Sequence, residues 1–217
     1  MTHRALILIS FLFFTSCLAH AGSVTLATSR SAFNDVAYWP GNCRQNLHSV
    51  LSTSTNGVTI TATDAGKSID TDIQQPPGCP YDGWSGNFAP GDDLLYTNAH
   101  GPLTLTFGKG IFGAGAQIGS NGYGGFTAKI CDNLGDCFTE NGIETKNADN
   151  SAIFIGLLDT SPGITSITFD LTGTNDFSIN EVSLKDSVAT TPEPSSLILF
   201  ATSLLGLAPF RRKLFGK

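Results

Sequence analysis

The chain has 217 residues, enough for one ordinary domain with processing segments and too few for two large domains. Only 14% of residues are charged, there is one Met, and Gly (24), Ser, Thr and Asn are abundant, which favours pleated, half-buried surfaces over solvated helices. Between Gly22 and Pro194 there are 7 Lys and Arg against 18 Asp and Glu, a net of −11, so electrostatics exclude nucleic acid as a partner of the body.

In chain order, Arg4 precedes an apolar run from Ala5 to Phe14, followed by Ala19-His20-Ala21 before Gly22. A positive start, a short hydrophobic core and a small-x-small site predict a secretory signal peptide over residues 1–21. The run is too short to span a bilayer. Phe14-Thr-Ser-Cys17 loosely resembles a lipobox, but Phe is a poor residue three places before the Cys.

The body, residues 22–187, is predicted to be all-β. A short helix is expected near Ser31–Val36, capped by Ser29 or Ser31. Val58, Ile60 and Ala62 alternate with Thr59, Thr61 and Thr63, a clean period of two, and the Asn56-Gly57 dipeptide before them is a hairpin-turn signal. Further strands are expected at Val24–Ala27, Asp93–Thr97, Leu103–Phe107, Ala114–Ile118, Gly125–Cys131, Ala152–Leu157, Ile164–Leu171 and Phe177–Leu184, the last with imperfect alternation. About nine or ten short strands fit an antiparallel sandwich of jelly-roll type, with a closed barrel as the lesser alternative.

Removal of the leader takes Cys17 with it and leaves Cys43, Cys79, Cys131 and Cys137. Four cysteines in an exported chain imply disulfides, with three connectivities open. Cys131 and Cys137 flank an Asn/Gly turn, which favours a local Cys131–Cys137 bridge and leaves Cys43–Cys79. A loop the size of 43–79 would gain about 3–4 kcal/mol in the chain-entropy model. Zinc is disfavoured by the lack of paired Cys-x-x-Cys spacing.

Signals for catalysis are few. Only His48 and His100 remain in the mature body, and no Gly-x-Ser-x-Gly elbow is present. Asp92 with Asp93, and Glu140 with Glu144, are the carboxylate pairs that a secreted glycoside hydrolase could use. Asp92-Asp93 follows Pro90-Gly91 as a turn does, and Glu140 and Glu144 sit in a stretch that reads as a Gly/Asn loop. The expectation is a protein that is not an enzyme and needs no cofactor. Structural calcium on Asp92, Asp93, Asp132 and Asp136 is the weak exception, since hard cations choose oxygen ligands. Two aromatic clusters, Tyr38-Trp39 and Tyr81 with Trp84, lie near Cys43 and Cys79, and are candidates for stacking on sugar rings; the alternative is that both Trp residues cap the core.

The tail begins with Pro192-Glu193-Pro194 and continues through Leu197–Phe210, apolar except for Thr202 and Ser203, to Arg211-Arg212-Lys213. Residues 195–210 would form a helix of about 24 Å, short for a hydrocarbon core of about 30 Å, with snorkelling basic residues making up part of the deficit. The basic cluster is expected to stay cytoplasmic and the body outside.

This order of elements over residues 188–217 resembles the PEP-CTERM sorting tail. The matching positions are Pro192, Glu193 and Pro194, then the hydrophobic helix, then Arg211, Arg212 and Lys213. The resemblance implies recognition by an exosortase-type membrane enzyme in bacteria that make exopolysaccharide, transient anchoring in the inner membrane, and release or transfer to the cell surface or extracellular matrix. Gly110–Ile118 and Asp176–Leu184 also resemble segments that recur in ectodomains carrying such tails. These matches are short and assign no activity. A carbohydrate-binding module is the alternative function to a surface or matrix protein.

Overall fold

The computed structural model describes residues 23–40, 46–73, 88–145 and 151–187. The leader, the C-terminal tail, Cys43, Cys79, Tyr81 and Trp84 lie outside the described residues. In chain order the strands are β1 (Thr25–Ala27), β2 (Asp35–Ala37), β3 (Asn46–His48), β4 (Val50–Thr55) and β5 (Val58–Thr63), followed by β6 (Ile69–Ile73), β7 (Asp93–Tyr96), β8 (Leu103–Ile111), β9 (Gly113–Ser120) and β10 (Gly124–Asp132). The remainder are β11 (Cys137–Glu144), β12 (Ile153–Leu158), β13 (Ile164–Thr172), β14 (Phe177–Ile179) and β15 (Val182–Lys185).

The paired strands are antiparallel and form two sheets. One runs β11-β10-β13-β8-β5-β4. The other runs β1-β12-β9-β14-β7-β6-β3, with β15 pairing to β9 and β2 to β15. Their inward faces meet in one core. Val58, Ile60 and Ala62 of β5, Leu103 and Leu105 of β8 and Ile167 and Phe169 of β13 are buried with Ala114, Ala116 and Ile118 of β9 and Ile155 and Leu157 of β12. The period-two alternation places these side chains on one face, and their removal from water is the main favourable term.

Asn56 and Gly57 form the predicted two-residue turn. Both have positive φ, 46° and 72°, and Thr55 pairs with Val58 across it. The twist of such a turn matches that of the strands it joins. The helix expected near Ser31–Val36 is only a 3-10 turn over Arg30–Ala32, with the Ser29 hydroxyl accepting from the Ser31 N–H at 3.3 Å. Asp35 and Val36 instead enter β2, because pairing with β15 satisfies their backbone better than a short isolated helix would. Strands β2, β3, β4, β6 and β11 were not anticipated. In β4 and β11 most positions are Ser, Thr, Asn or Glu, and the apolar Val50 and Ile143 are exposed while Glu144 is buried, so hydrophobic periodicity is weak.

Strand β9 lies between β12 and the segment holding β14 and β15. Apart from Gln117, which meets Asn180, residues 113–119 alternate Gly with Ala or Ile because both faces are covered. The inner face carries Ala114, Ala116 and Ile118. Over the other lie the rings of Phe33 and Phe154, with centroids 5.5 Å apart. A Cβ on Gly115 would stand 2.6 Å from the Gly156 Cα and 2.8 Å from the Phe154 ring, so only glycine permits this approach.

The imperfect alternation of Phe177–Leu184 has a structural cause. Ile179 pairs with Ile118, but Ser183 pairs with Gly115, so this segment holds one more residue than β9 between the two pairings. That is a β-bulge at Asn180-Glu181, and it turns the segment from neighbouring β7 to neighbouring β2. Asn180 repairs the interrupted ladder. Its N–H donates to the Gln117 carbonyl (3.2 Å), its Oδ1 accepts from the Gln117 N–H (3.0 Å), and its Nδ2 donates to Gln117 Oε1 (2.7 Å) and Asp92 Oδ2 (3.2 Å). Its carbonyl accepts from Trp39 Nε1 at 3.1 Å. Arg30 joins the same cluster through Glu181 and Asn180 Oδ1.

Replacing Asn180 by Ala leaves the Gln117 N–H and the Asp92 carboxylate without these partners in a partly buried site. The expected cost is about 3 kcal/mol, measured as a lower urea midpoint with an unchanged slope.

Candidate functional site

Trp39 is 2% exposed and its indole N–H is engaged by Asn180, so its ring caps the core and is not available to a sugar. Its neighbour Tyr38 is 64% exposed, and the Tyr38 carbonyl accepts from Thr53 Oγ1 at 2.8 Å. Tyr81 and Trp84, the other proposed stacking residues, lie outside the described residues.

The calcium candidates fall on different sheets. Asp92 faces Asn180 beside β7, and burial raises its pKa; Asp93, which opens β7, is raised in the same way. Asp132 belongs to the β10–β11 hairpin, where its Oδ1 accepts from the Leu134 N–H (2.8 Å) and the Asp136 N–H (2.9 Å), an Asx-type turn. Among the described residues no three His, Cys, Asp or Glu side chains gather to hold a metal ion.

The same hairpin holds the Cys131–Cys137 disulfide, with the two cysteines directly paired across the strands and their Cα atoms 4.2 Å apart. Closing so short a loop is worth about 2 kcal/mol in the chain-entropy model. Next to it, Asn133 Oδ1 accepts from the N–H groups of Thr165 (2.7 Å) and Ser166 (3.1 Å), where the β13–β8 register shifts.

Glu140 and Glu144 belong to β11 and not to a loop, which corrects the sequence expectation. They do not share one environment. Glu140 is half-buried, whereas Glu144 is 2% exposed with Oε1 accepting from the Ser120 N–H at 2.8 Å. Burial pushes the Glu144 carboxyl up to about 7, opposed by that hydrogen bond.

A concave surface does form, at the loop end beyond Glu144. The β9–β10 connection (residues 121–123) and the β13–β14 connection (residues 173–176) border a shallow basin of about 340 Å³, lined by Ser120, Asn121, Tyr123, Phe126, Thr174 and Asp176 among others. Gly125, Phe126 and Thr172 are shared with a second depression of about 370 Å³, which continues past Thr127 and Asn141 to Ile143. The two make one trough. Tyr123 is 59% and Ile143 67% exposed along it. Asn121 Nδ2 donates to Asp176 Oδ2 (3.0 Å) and to the Tyr96 hydroxyl (3.4 Å), and the Asn121 N–H donates to the Asp176 carbonyl (3.0 Å). Burial and the adjacent Asp176 carboxylate raise the Tyr96 pKa, so its hydroxyl stays neutral.

Sequence reasoning passed over Tyr123. The signal was present in Asn121-Gly-Tyr-Gly-Gly125: an aromatic flanked by glycines in a tight connection has few neighbours to bury it.

The folded Glu144 carboxyl keeps its proton to a higher pH than its ordinary value of 4.5, so the unfolded chain releases that proton first as pH rises. Its contribution to stability is therefore full below about pH 4.5, declines as pH rises to about 7, and then levels off, having fallen by about 3 kcal/mol. Glu144→Gln should raise the unfolding midpoint at pH 8 and leave it nearly unchanged at pH 4, as read by thermal melts across that range.

A search among curated proteins found no match. The family model for the PEP-CTERM protein-sorting motif matches residues 190–213, which include Pro192-Glu193-Pro194, the apolar run and Arg211-Arg212-Lys213. The chain thus carries a PEP-CTERM protein-sorting motif, which implies export, anchoring through the C-terminus before processing, and an exosortase-type enzyme as the processing partner.

Proposed function

We propose that this chain is a non-enzymatic cell-surface or extracellular-matrix protein associated with exopolysaccharide. Residues 1–21 direct export and are removed. The body folds outside as a sandwich of jelly-roll type, and a helix over 195–210 holds it in the inner membrane until the sorting enzyme acts near Pro192–Pro194. The observation that carries this reading is the sorting motif at residues 190–213. Three physically unlike elements stand there in a fixed order: a rigid Pro-Glu-Pro start, an apolar stretch that must leave water, and a cationic flank that resists translocation.

Several features of the body suit that destination. The local disulfide belongs to an oxidising compartment. The strongly acidic surface keeps the protein soluble and away from anionic lipid. A carbohydrate-binding module is the closest alternative class, and the trough beside Tyr123 favours sugar contact as part of the matrix role.

Intact-mass measurement on protein recovered from the cell surface or medium of the native host should show a chain that lacks residues 1–21 and the apolar stretch after Pro194. Deleting the host's exosortase-type gene, or replacing Pro192-Glu193-Pro194 by three alanines, should leave the tail attached and the protein in the membrane fraction. Recovery of the uncut chain from the cytosol with free thiols would overturn the proposal.

A further inference from the structure

We infer that the trough running from Tyr123 to Ile143 is the binding site for an uncharged polysaccharide chain; this rests on the exopolysaccharide association proposed above and gives it a location. Shape is the first argument. Two depressions of about 340 and 370 Å³ adjoin through Gly125, Phe126 and Thr172. Each lies at the lower end of the range of small-molecule sites, and their continuity suits successive units of a chain better than a single compact ligand.

The second argument is chemical. A pyranose presents a C–H face to an apolar plane and hydroxyls around its rim. Tyr123 stands 59% exposed on the rim of the first depression. Phe126 is shared by both depressions but is only 9% exposed, its ring packed inward across Gly142 in the core, so the apolar contacts are the Tyr123 ring at one end and Ile143, 67% exposed, at the other. Such a ring supplies rigid contact area at little conformational cost.

Around these sit polar groups already held in place. Asp176 and Asn121 are locked together at 3.0 Å, with the Tyr96 hydroxyl behind them. Farther along, Thr127 Oγ1 donates to Asn141 Oδ1 at 2.8 Å. A carboxylate accepts strongly from sugar hydroxyls, and a pre-positioned amide offers both a donor and an acceptor. Because these groups are fixed before the ligand arrives, little ordering entropy remains to oppose binding.

Charge selects the class. Among the described residues neither depression is lined by Lys or Arg, Asp176 is acidic, and the body carries a net of −11. Uronates, phosphates and sulfates would meet repulsion with no basic side chain among the described lining residues to compensate it. The ligand is therefore a neutral glycan.

The test is calorimetric titration of the full chain in detergent with hexasaccharides of glucose, mannose and galactose, and with oligogalacturonate. At least one neutral hexasaccharide should bind and oligogalacturonate should not. Tyr123→Ala should weaken binding by about tenfold, and Asn121→Ala should weaken it as well, while Tyr123→Trp retains it. Tyr123 is exposed, so its variants should melt like the parent. Lack of binding by every neutral hexasaccharide at about 10 mM, or tighter binding of oligogalacturonate, overturns the inference. So does self-association through this face, seen as a dimer abolished by Ile143→Asp. If neutral glycan binds equally well to the parent, Tyr123→Ala and Asn121→Ala, the polysaccharide association stands and its location here fails. None of these outcomes bears on tail processing, which intact mass decides separately.

Discussion

The arrangement of the described body depends on how β9 is enclosed. This strand has neighbours on both edges and cover on both faces, so its backbone groups must be paired and its side chains must be small. The alternation of Gly with Ala and Ile answers the second demand. The first is threatened where the bulge at Asn180-Glu181 breaks the ladder, and the Asn180 side chain answers it by replacing the missing backbone partner of Gln117. A buried amide that makes four hydrogen bonds through its side chain is a stringent choice, because the low local dielectric makes each one costly to lose.

The same bulge distributes the surrounding elements. It redirects the segment from β7 to β2, draws the Trp39 indole onto the core, and places Asp92 and Arg30 at one polar cluster. The connection at Thr174–Asp176 is fixed by Thr97, whose Oγ1 lies 2.7 Å from the Asn175 carbonyl and 3.0 Å from the Phe177 carbonyl, with one hydroxyl proton to give, and accepts from the Phe177 N–H at 3.2 Å. That connection is one wall of the trough. A structural device in the sheet thus positions the surface where ligand contact is proposed, and the loops there are held by hydrogen bonds to the sheet.

Glu144 is a different sort of feature, a carboxyl buried at the end of β11 with one oxygen on the Ser120 N–H. Burial also raises Asp35, Asp64, Asp92 and Asp93, so these groups favour the folded state in the same direction as the medium acidifies. An acidic exported protein is thereby suited to mildly acid surroundings, with the carboxyl desolvation relieved by protonation.

What the sequence by itself determined is local. The Asn56-Gly57 turn, the alternating face of β5, the Cys131–Cys137 bridge and the ordered elements of the sorting motif each depend on residues within a few positions of one another, so pattern alone reveals them. Tertiary structure decided the rest. Polar strands such as β4 and β11 form because a neighbouring strand offers hydrogen bonds, which no hydrophobic period announces. Trp39 is withdrawn from the surface by a carbonyl 141 residues away, and Tyr123 is left on it by glycines that offer nothing to cover it. Which aromatic can meet a ligand depends on long-range packing, and that is why composition near the cysteines pointed to Trp39 while the folded chain presents Tyr123.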